Sequence, residues 1–151
     1  MTIAFIGIGS NLDEPRRQVL EALTELDRLP HTRVVKKSSL YRSAPMGHTD
    51  QPDFINAVAR LETGLPAERL LAELKELEAR HGRKRSFPNA PRTLDLDVLL
   101  FGDLTLDSPT LKIPHPRMHE RAFVLKPLLE IAPELAFDAQ ACASQKVERI
   151  E

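Results

Sequence analysis

The apolar residues of this chain recur at two periods, every second position in some segments and every third or fourth in others. Residues 3–8 are a short β-branched apolar run halted by Gly9-Ser10-Asn11, which predicts a buried strand followed by a turn. Asp13 is placed to cap the next helix, with Pro15 in its first turn and Val19, Leu20, Leu23 and Leu26 along one face. Residues 32–41 predict a second strand, half-exposed because Lys36, Lys37, Ser38 and Ser39 interrupt it. Residues 54–62 predict a third. Its alternation sends Ile55, Ala57, Ala59 and Leu61 to the core and Phe54, Asn56, Val58 and Arg60 to the opposite face. Pro66 opens a helix striped by Leu70, Leu71, Leu74 and Leu77, and Gly82 ends it. Residues 93–101 form the last long strand, stopped by Gly102-Asp103, and short helical stretches are expected around 120–125 and 127–131.

The order strand–helix–strand–strand–helix–strand is the split βαβ arrangement of a ferredoxin-like fold. It predicts the α+β class, an antiparallel sheet with helices packed against one side. No repeat, linker or low-complexity tract divides the 151 residues, so one domain spanning 1–151 is expected; the tail after about 138 adds no motif.

Composition narrows the function classes. Twenty-one Lys and Arg balance 22 Asp and Glu for a formal net charge of −1, which argues against a protein that coats nucleic acid. No apolar run approaches the ~18–20 residues of a membrane span, and the first residues lack a signal peptide's basic start. The single cysteine, Cys142, cannot form an internal disulfide and suits a reducing compartment. A cytoplasmic monomer with no membrane or nucleic-acid partner is therefore expected.

The sharpest chemical feature is Asp95-Leu96-Asp97. On a strand, residues two apart share a face at a spacing of about 6–7 Å, so Leu94, Leu96 and Val98 take the core and leave both acids opposite. Such a pair is either a solvated strand edge or a seat for Mg²⁺, which binds one or two carboxylates plus substrate phosphates. Arg80, Arg83, Lys84, Arg85 and Arg92 precede it with no intervening acid. Those guanidinium forks suit polyphosphate, although a solvated basic loop has the same composition. His115 lies between Pro114 and Pro116 with Arg121 downstream. Pro116 breaks the helix that a zinc pair with His119 would need, and no Gly-x-x-x-x-Gly-Lys loop is present.

Four ordered segments carry a more specific signal: Ser39-Leu40-Tyr41-Arg42-Ser43-Ala44-Pro45, Asp50-Gln51-Pro52-Asp53-Phe54-Ile55-Asn56, Pro91-Arg92-Thr93-Leu94-Asp95-Leu96-Asp97 and Ile113-Pro114-His115. With Ile6-Gly7-Ile8-Gly9-Ser10-Asn11-Leu12 at the start and Pro133-Glu134-Leu135 near the end, the chain resembles the 6-hydroxymethyl-7,8-dihydropterin pyrophosphokinases of folate biosynthesis. The resemblance implies transfer of pyrophosphate from ATP to the pterin's hydroxymethyl oxygen, with AMP leaving. It implies that Asp95 and Asp97 hold two Mg²⁺ ions, that Arg83 and Arg92 are catalytic phosphate clamps, and that His115 acts with them. Arg85, His115 and Arg121 then bind ATP phosphates, while Glu78 and the backbone at Val98 line the adenine and ribose pocket. On the pterin side, Phe54 and Phe123 sandwich the ring, Asn56 bonds its edge, and Ser43, Ala44 and Met46 complete the pocket. Phe123 has core packing as a second reading. Asn89 stands where an aromatic is expected, with Phe87 two positions earlier, and Phe54 replaces a frequent Tyr.

Two other function classes fit the sequence less well. An RNA-binding module needs exposed aromatics on the central strands, where this chain has carboxylates. A nucleotidyltransferase needs its Gly-Ser about a dozen residues before the acids; Ser10 and Asp95 lie 85 apart. The breaker-rich basic segment 82–91 is expected to close over ATP and exclude water. Limited proteolysis should cut there in the free protein and slow with Mg²⁺ and a non-hydrolysable ATP analogue; equal cutting in both states would remove the lid.

Overall fold

The computed structural model describes residues 1–45, 50–82 and 93–151. Strand β1 (Thr2–Ser10) is followed by helix α1 (Pro15–Leu26), then β2 (Thr32–Lys37), β3 (Tyr41–Ser43) and β4 (Phe54–Thr63). Helix α2 (Ala67–Arg80) and strand β5 (Asp95–Phe101) come next, then the small ribbon of β6 (Leu106–Asp107) and β7 (Lys112–Ile113). Helix α3 (Ala122–Ile131) and strand β8 (Val147–Arg149) complete the chain. The main sheet runs β5-β1-β4-β3-β8, with β2 beside the far end of β4, and every pairing is antiparallel.

The expected alternation is what builds the core. Ala4, Ile6 and Ile8 of β1, Ile55, Ala57, Ala59 and Leu61 of β4, and Leu96 and Val98 of β5 share one face. Val19, Ala22, Leu23 and Leu26 of α1 and Leu70, Leu74 and Leu77 of α2 pack onto it. Each fully buried Leu there contributes about 1.5–3 kcal/mol relative to exposure. Gly82 ends α2 as expected, in the left-handed conformation at φ 80°.

Several expectations are corrected. First, α3 occupies the opposite face, where Phe5, Val58 and Leu99 pack against Val124, Leu128 and Ile131. The sheet is therefore covered on both sides. Second, 32–41 is two strands. The Ser38 hydroxyl accepts the Val58 N–H at 2.9 Å and Ser39 N–H is taken by Glu130, so the chain leaves the ladder between Lys37 and Tyr41 without stranding these donors. Third, Asp13 does not cap α1. Asp13 and Glu14 are both left-handed, at φ 56° and 63°, and the buried Gln18 amide donates to the Asp13 carbonyl at 2.9 Å. Fourth, β1 runs on through Gly9 and Ser10, and the two short late helical stretches are joined into one helix that contains a buried Pro127.

Glu130 ties α3 to the edge of the sheet. Its carboxylate accepts the Tyr41 hydroxyl at 2.7 Å, the Ser39 hydroxyl at 2.9 Å and the Ser39 N–H at 3.1 Å. Burial would raise its pKa, but the Tyr41 and Ser39 bonds and the Arg149 charge outweigh that and hold it below its ordinary value. Burial, then the bond and charge of Glu130, push Tyr41 up to about 12. Tyr41 is the only tyrosine and there is no tryptophan, so tyrosinate absorbance reads this contact directly. The expected midpoint is about 12, falling toward 10 in Glu130→Ala. The folded state keeps the phenol proton longer than the unfolded one. Its stabilising contribution is complete below pH 10 and is lost as pH rises toward 12.

Candidate active site

Register places the functional side chains. Directly opposed residues in an antiparallel pair project to the same side. Gly9 of β1 pairs with Asp95 of β5 on one flank and Asn56 of β4 on the other, and Asn56 pairs with Tyr41 of β3. One row of the α3-side face therefore reads Asp95, Gly9, Asn56, Tyr41. The adjacent row holds Asp97, Gly7 and Val58. Both acids point away from the α1/α2 core, as the two-residue spacing predicts, because Leu96 and Val98 fill that core.

The glycines of β1 make a floor between acids and amide. A Cβ at Gly9 would come within 3.3 Å of Asn56 Oδ1 and 3.7 Å of the Phe54 ring; at Gly7 it would meet Leu99 at 3.4 Å. The Leu99 side chain lies over Gly7, and the Asn56 amide and Phe54 ring lie over Gly9, so a side chain at Gly9 would crowd the amide. The stop after Ile8 predicts a turn at Gly9, but β1 carries Gly9 within the strand, and Gly7 and Gly9 on alternate positions are the signal for that.

The amide end is held in one orientation. Asn56 Nδ2–H donates to Ser43 Oγ at 2.7 Å, and both side chains are buried. That leaves Asn56 Oδ1 toward Gly9. Ser43 pairs with Phe54 in the ladder, and Ala44 follows at the strand's end. Beyond Ser10, Asn11 Nδ2–H donates to Gln51 Oε1 at 2.7 Å and to the Pro52 carbonyl at 3.0 Å, holding the approach to Phe54 against β1. Phe123 is half-buried against the Val58 and Leu99 cluster, with the Arg121 guanidinium carbon 5.5 Å from its ring centre. It serves the core and borders the site at once.

The acid end is set from outside the sheet. Glu78 on α2 is buried, and its carboxylate accepts the Leu96 N–H at 2.7 Å, which fixes β5 between the two acids. Val98 has its side chain in the core, so its backbone is what it can present. His115 N–H donates to the Leu99 carbonyl at 3.0 Å, holding the segment after β7 along β5. Burial and the charge of Arg121 lower the His115 pKa below 6.5, Asp95 opposes, and Arg117 adds to the lowering. His115, Arg121 and Asp95 thus share one neighbourhood. Arg83, Arg85, Arg92, Phe87 and Met46 lie outside the described residues.

Among the described residues no three His, Cys, Asp or Glu side chains gather into a metal cage. The donor set is two hard carboxylates on one open face, which fits a cation that completes its shell from phosphate and water. The Arg117 N–H donates to His115 Nδ1 at 3.2 Å, which fixes the neutral ring with its proton on Nε2. In an NMR titration of the free protein, His115 is expected to titrate below 6.5. Its neutral form is the folded-state form, so this contribution to stability is present above 6.5 and is lost as pH falls. A midpoint at or above 6.5 contradicts the arrangement.

Comparison with known proteins gives the family of the chain. Residues 5–133 match the family described as 7,8-dihydro-6-hydroxymethylpterin-pyrophosphokinase. The 2-amino-4-hydroxy-6-hydroxymethyldihydropteridine pyrophosphokinase of Pseudomonas aeruginosa is 47% identical, over 97% of this chain and 95% of its own. The protein of the same name from Haemophilus influenzae is 43% identical, over 99% and 93%. A solved structure of Plasmodium falciparum HPPK-DHPS with pteroate superposes with a TM-score of 0.70 at 15% identity, covering 93% of this chain and 40% of that one, and so supports the fold. With a family match over most of its length and near-complete relatives at this identity, the chain belongs to the 7,8-dihydro-6-hydroxymethylpterin-pyrophosphokinase family.

Proposed function

We propose that this protein transfers the diphosphate of ATP to the hydroxymethyl oxygen of 6-hydroxymethyl-7,8-dihydropterin, releasing AMP, in tetrahydrofolate biosynthesis. The observation that carries the reading is the row Asp95, Gly9, Asn56, which sets a carboxylate and an amide on the same face on either side of one glycine. A flat heterocycle bonded by Asn56 and stacked on Phe54 and Phe123 would extend its hydroxymethyl arm toward the acids. A site that hydrogen-bonds a polar ring rejects rings lacking those groups.

Asp95 and Asp97 are the residues that would hold Mg²⁺, two ions in the full reading. When bound, Mg²⁺ neutralises phosphate charge and favours the ionised nucleophile. The chain's own groups orient the phosphates. Arg121 meets them at the α3 end, and His115, neutral and anchored on Leu99, offers its Nε2–H. Arg83, Arg85 and Arg92 supply further guanidinium groups from the basic segment, where charge builds on the transferring group. Glu78 acts by fixing β5, and the backbone at Val98 faces the adenine side. In-line transfer breaks the bond between the α,β-bridging oxygen and Pβ, that oxygen leaving with AMP, as the pterin oxygen bonds to Pβ and gives up its hydroxyl proton to solvent.

The strand order β5-β1-β4-β3, with its two crossover helices on one face, supports a ferredoxin-like plan extended by α3 and β8. We take residues 1–151 as one domain acting as a cytoplasmic monomer. No helix of the described residues is long and apolar enough to cross a membrane.

The test is AMP release from ATP, with and without the pterin, in Mg²⁺ and then in EDTA. Release should require both pterin and Mg²⁺. Asp95→Ala and Asp97→Ala should each cost about two or more orders of magnitude in turnover with the fold intact. Full activity in both variants would remove the acids from the mechanism. AMP formation independent of pterin would remove the acceptor.

A further inference from the structure

The last strand and the segment before it lie beyond the residues that match the family, which end at 133. The sequence assigned that tail no role. In the structure it packs on α3: Cys142 is buried against Ala122 and Leu125, and Lys126 Nζ donates to the Val147 carbonyl at 3.2 Å. One side chain in it makes two contacts of a particular kind. Gln145 Oε1 accepts the Ala122 N–H at 3.0 Å, and Gln145 Nε2–H donates to the Glu120 carbonyl at 2.7 Å.

Those two groups belong to the peptide planes on either side of Arg121. The Glu120 carbonyl lies in the plane before its Cα and the Ala122 N–H in the plane after it. The relative rotation of the two planes is what φ and ψ of Arg121 describe. A single amide bonded to both therefore fixes them, here at −121° and 107°. The bond directions also settle which way the amide faces: only its oxygen can accept and only its nitrogen can donate. Gln145 is itself anchored, because its N–H donates to the Cys142 carbonyl at 3.0 Å and Cys142 is buried.

Arg121 needs such a hold. It precedes α3 in extended conformation with no side-chain cap of its own, and Ala122 N–H is one of the helix's four donors without an intrahelical acceptor. From this position its guanidinium reaches the Phe123 ring and exerts its charge on His115. Phe123, by contrast, is held by core contacts with the Val58 and Leu99 cluster.

We infer that Gln145 is a positioning residue for the ATP end of the site, holding Arg121 by bonding both peptide planes that flank it. This rests on the pyrophosphokinase reading above. The test uses the full chain carrying Gln145→Ala or Gln145→Glu, with ATP and pterin varied separately. Gln145→Ala should raise KM for ATP about five- to tenfold, the worth of roughly one lost pair of hydrogen bonds, with KM for the pterin changed less than about twofold. Gln145→Glu keeps the shape and one acceptor but faces the Glu120 carbonyl with a carboxylate, and should be at least as impaired. In an Arg121→Ala background, Gln145→Ala should add no further change in KM for ATP, since residues acting through one group are not additive.

Equal rises in both KM values, or effects that add fully to Arg121→Ala, would overturn the positioning role and leave general support of the fold. Unchanged kinetics in both Gln145 variants would overturn it as well. Failure of the unsubstituted protein to release AMP with pterin would overturn the underlying reading, and is seen before any variant is compared.

Discussion

Everything in this site depends on the register in which Gly7 and Gly9 of β1 are paired on both sides, which holds from Ile6 onward past a bulge in the β5 ladder. Gly9 lies opposite Asp95 and opposite Asn56 at once, so two groups 39 residues apart in sequence are set across a single strand. A slip of one residue in either ladder would turn the acids or the amide into the α1/α2 core. The apolar load on that core forbids the slip: Ile6, Ile8, Ala57, Leu96 and Val98 would all lose burial together. The placement of the acids and the amide is thus enforced by hydrophobic packing on the reverse of the sheet.

The face that carries the site is shared with α3. Phe5, Val58 and Leu99 bury against the helix, while the glycine rows beside them hold the polar groups. A helix so placed could drift along the sheet, since aliphatic contacts have little direction. Glu130 removes that freedom at one end through Tyr41 and Ser39. Gln145 holds the peptide groups at the other. The helix that carries Phe123, with Arg121 at its start, is consequently located by polar contacts at its ends and stabilised by apolar ones along its length.

Much of this was legible in the sequence and some was not, for physical reasons. The period-two pattern located β1, β4 and β5 and gave the correct faces for Asn56 and for both acids, because alternation is a local property. The second helical layer shows in Phe5, Val58 and Leu99, which lie off the α1/α2 face of their strands, yet neither the buried-strand reading of 3–8 nor Val58 alone signals a helix there. Asp13 as a cap failed because Asp tolerates left-handed backbone and the Gln18 amide supplied a different closure. The break in 32–41 was hidden because it requires Glu130, 91 residues away, to accept the Ser39 N–H. Gln145 could not be found at all from local pattern: glutamine in a polar tail has no signature, and its partners lie 23 and 25 residues back.

The bond from Leu96 to Glu78 has a consequence unrelated to catalysis. β5 is the outermost strand on its side of the sheet, and such a strand normally presents a row of open amides and carbonyls to any passing chain. Here the Leu96 N–H is covered by a buried carboxylate and the Leu99 carbonyl by the N–H of His115. Two contacts that fix β5 also occupy two of the backbone groups through which an incoming strand would pair. The same geometry that presents the acids therefore leaves this edge a poorer template for another chain.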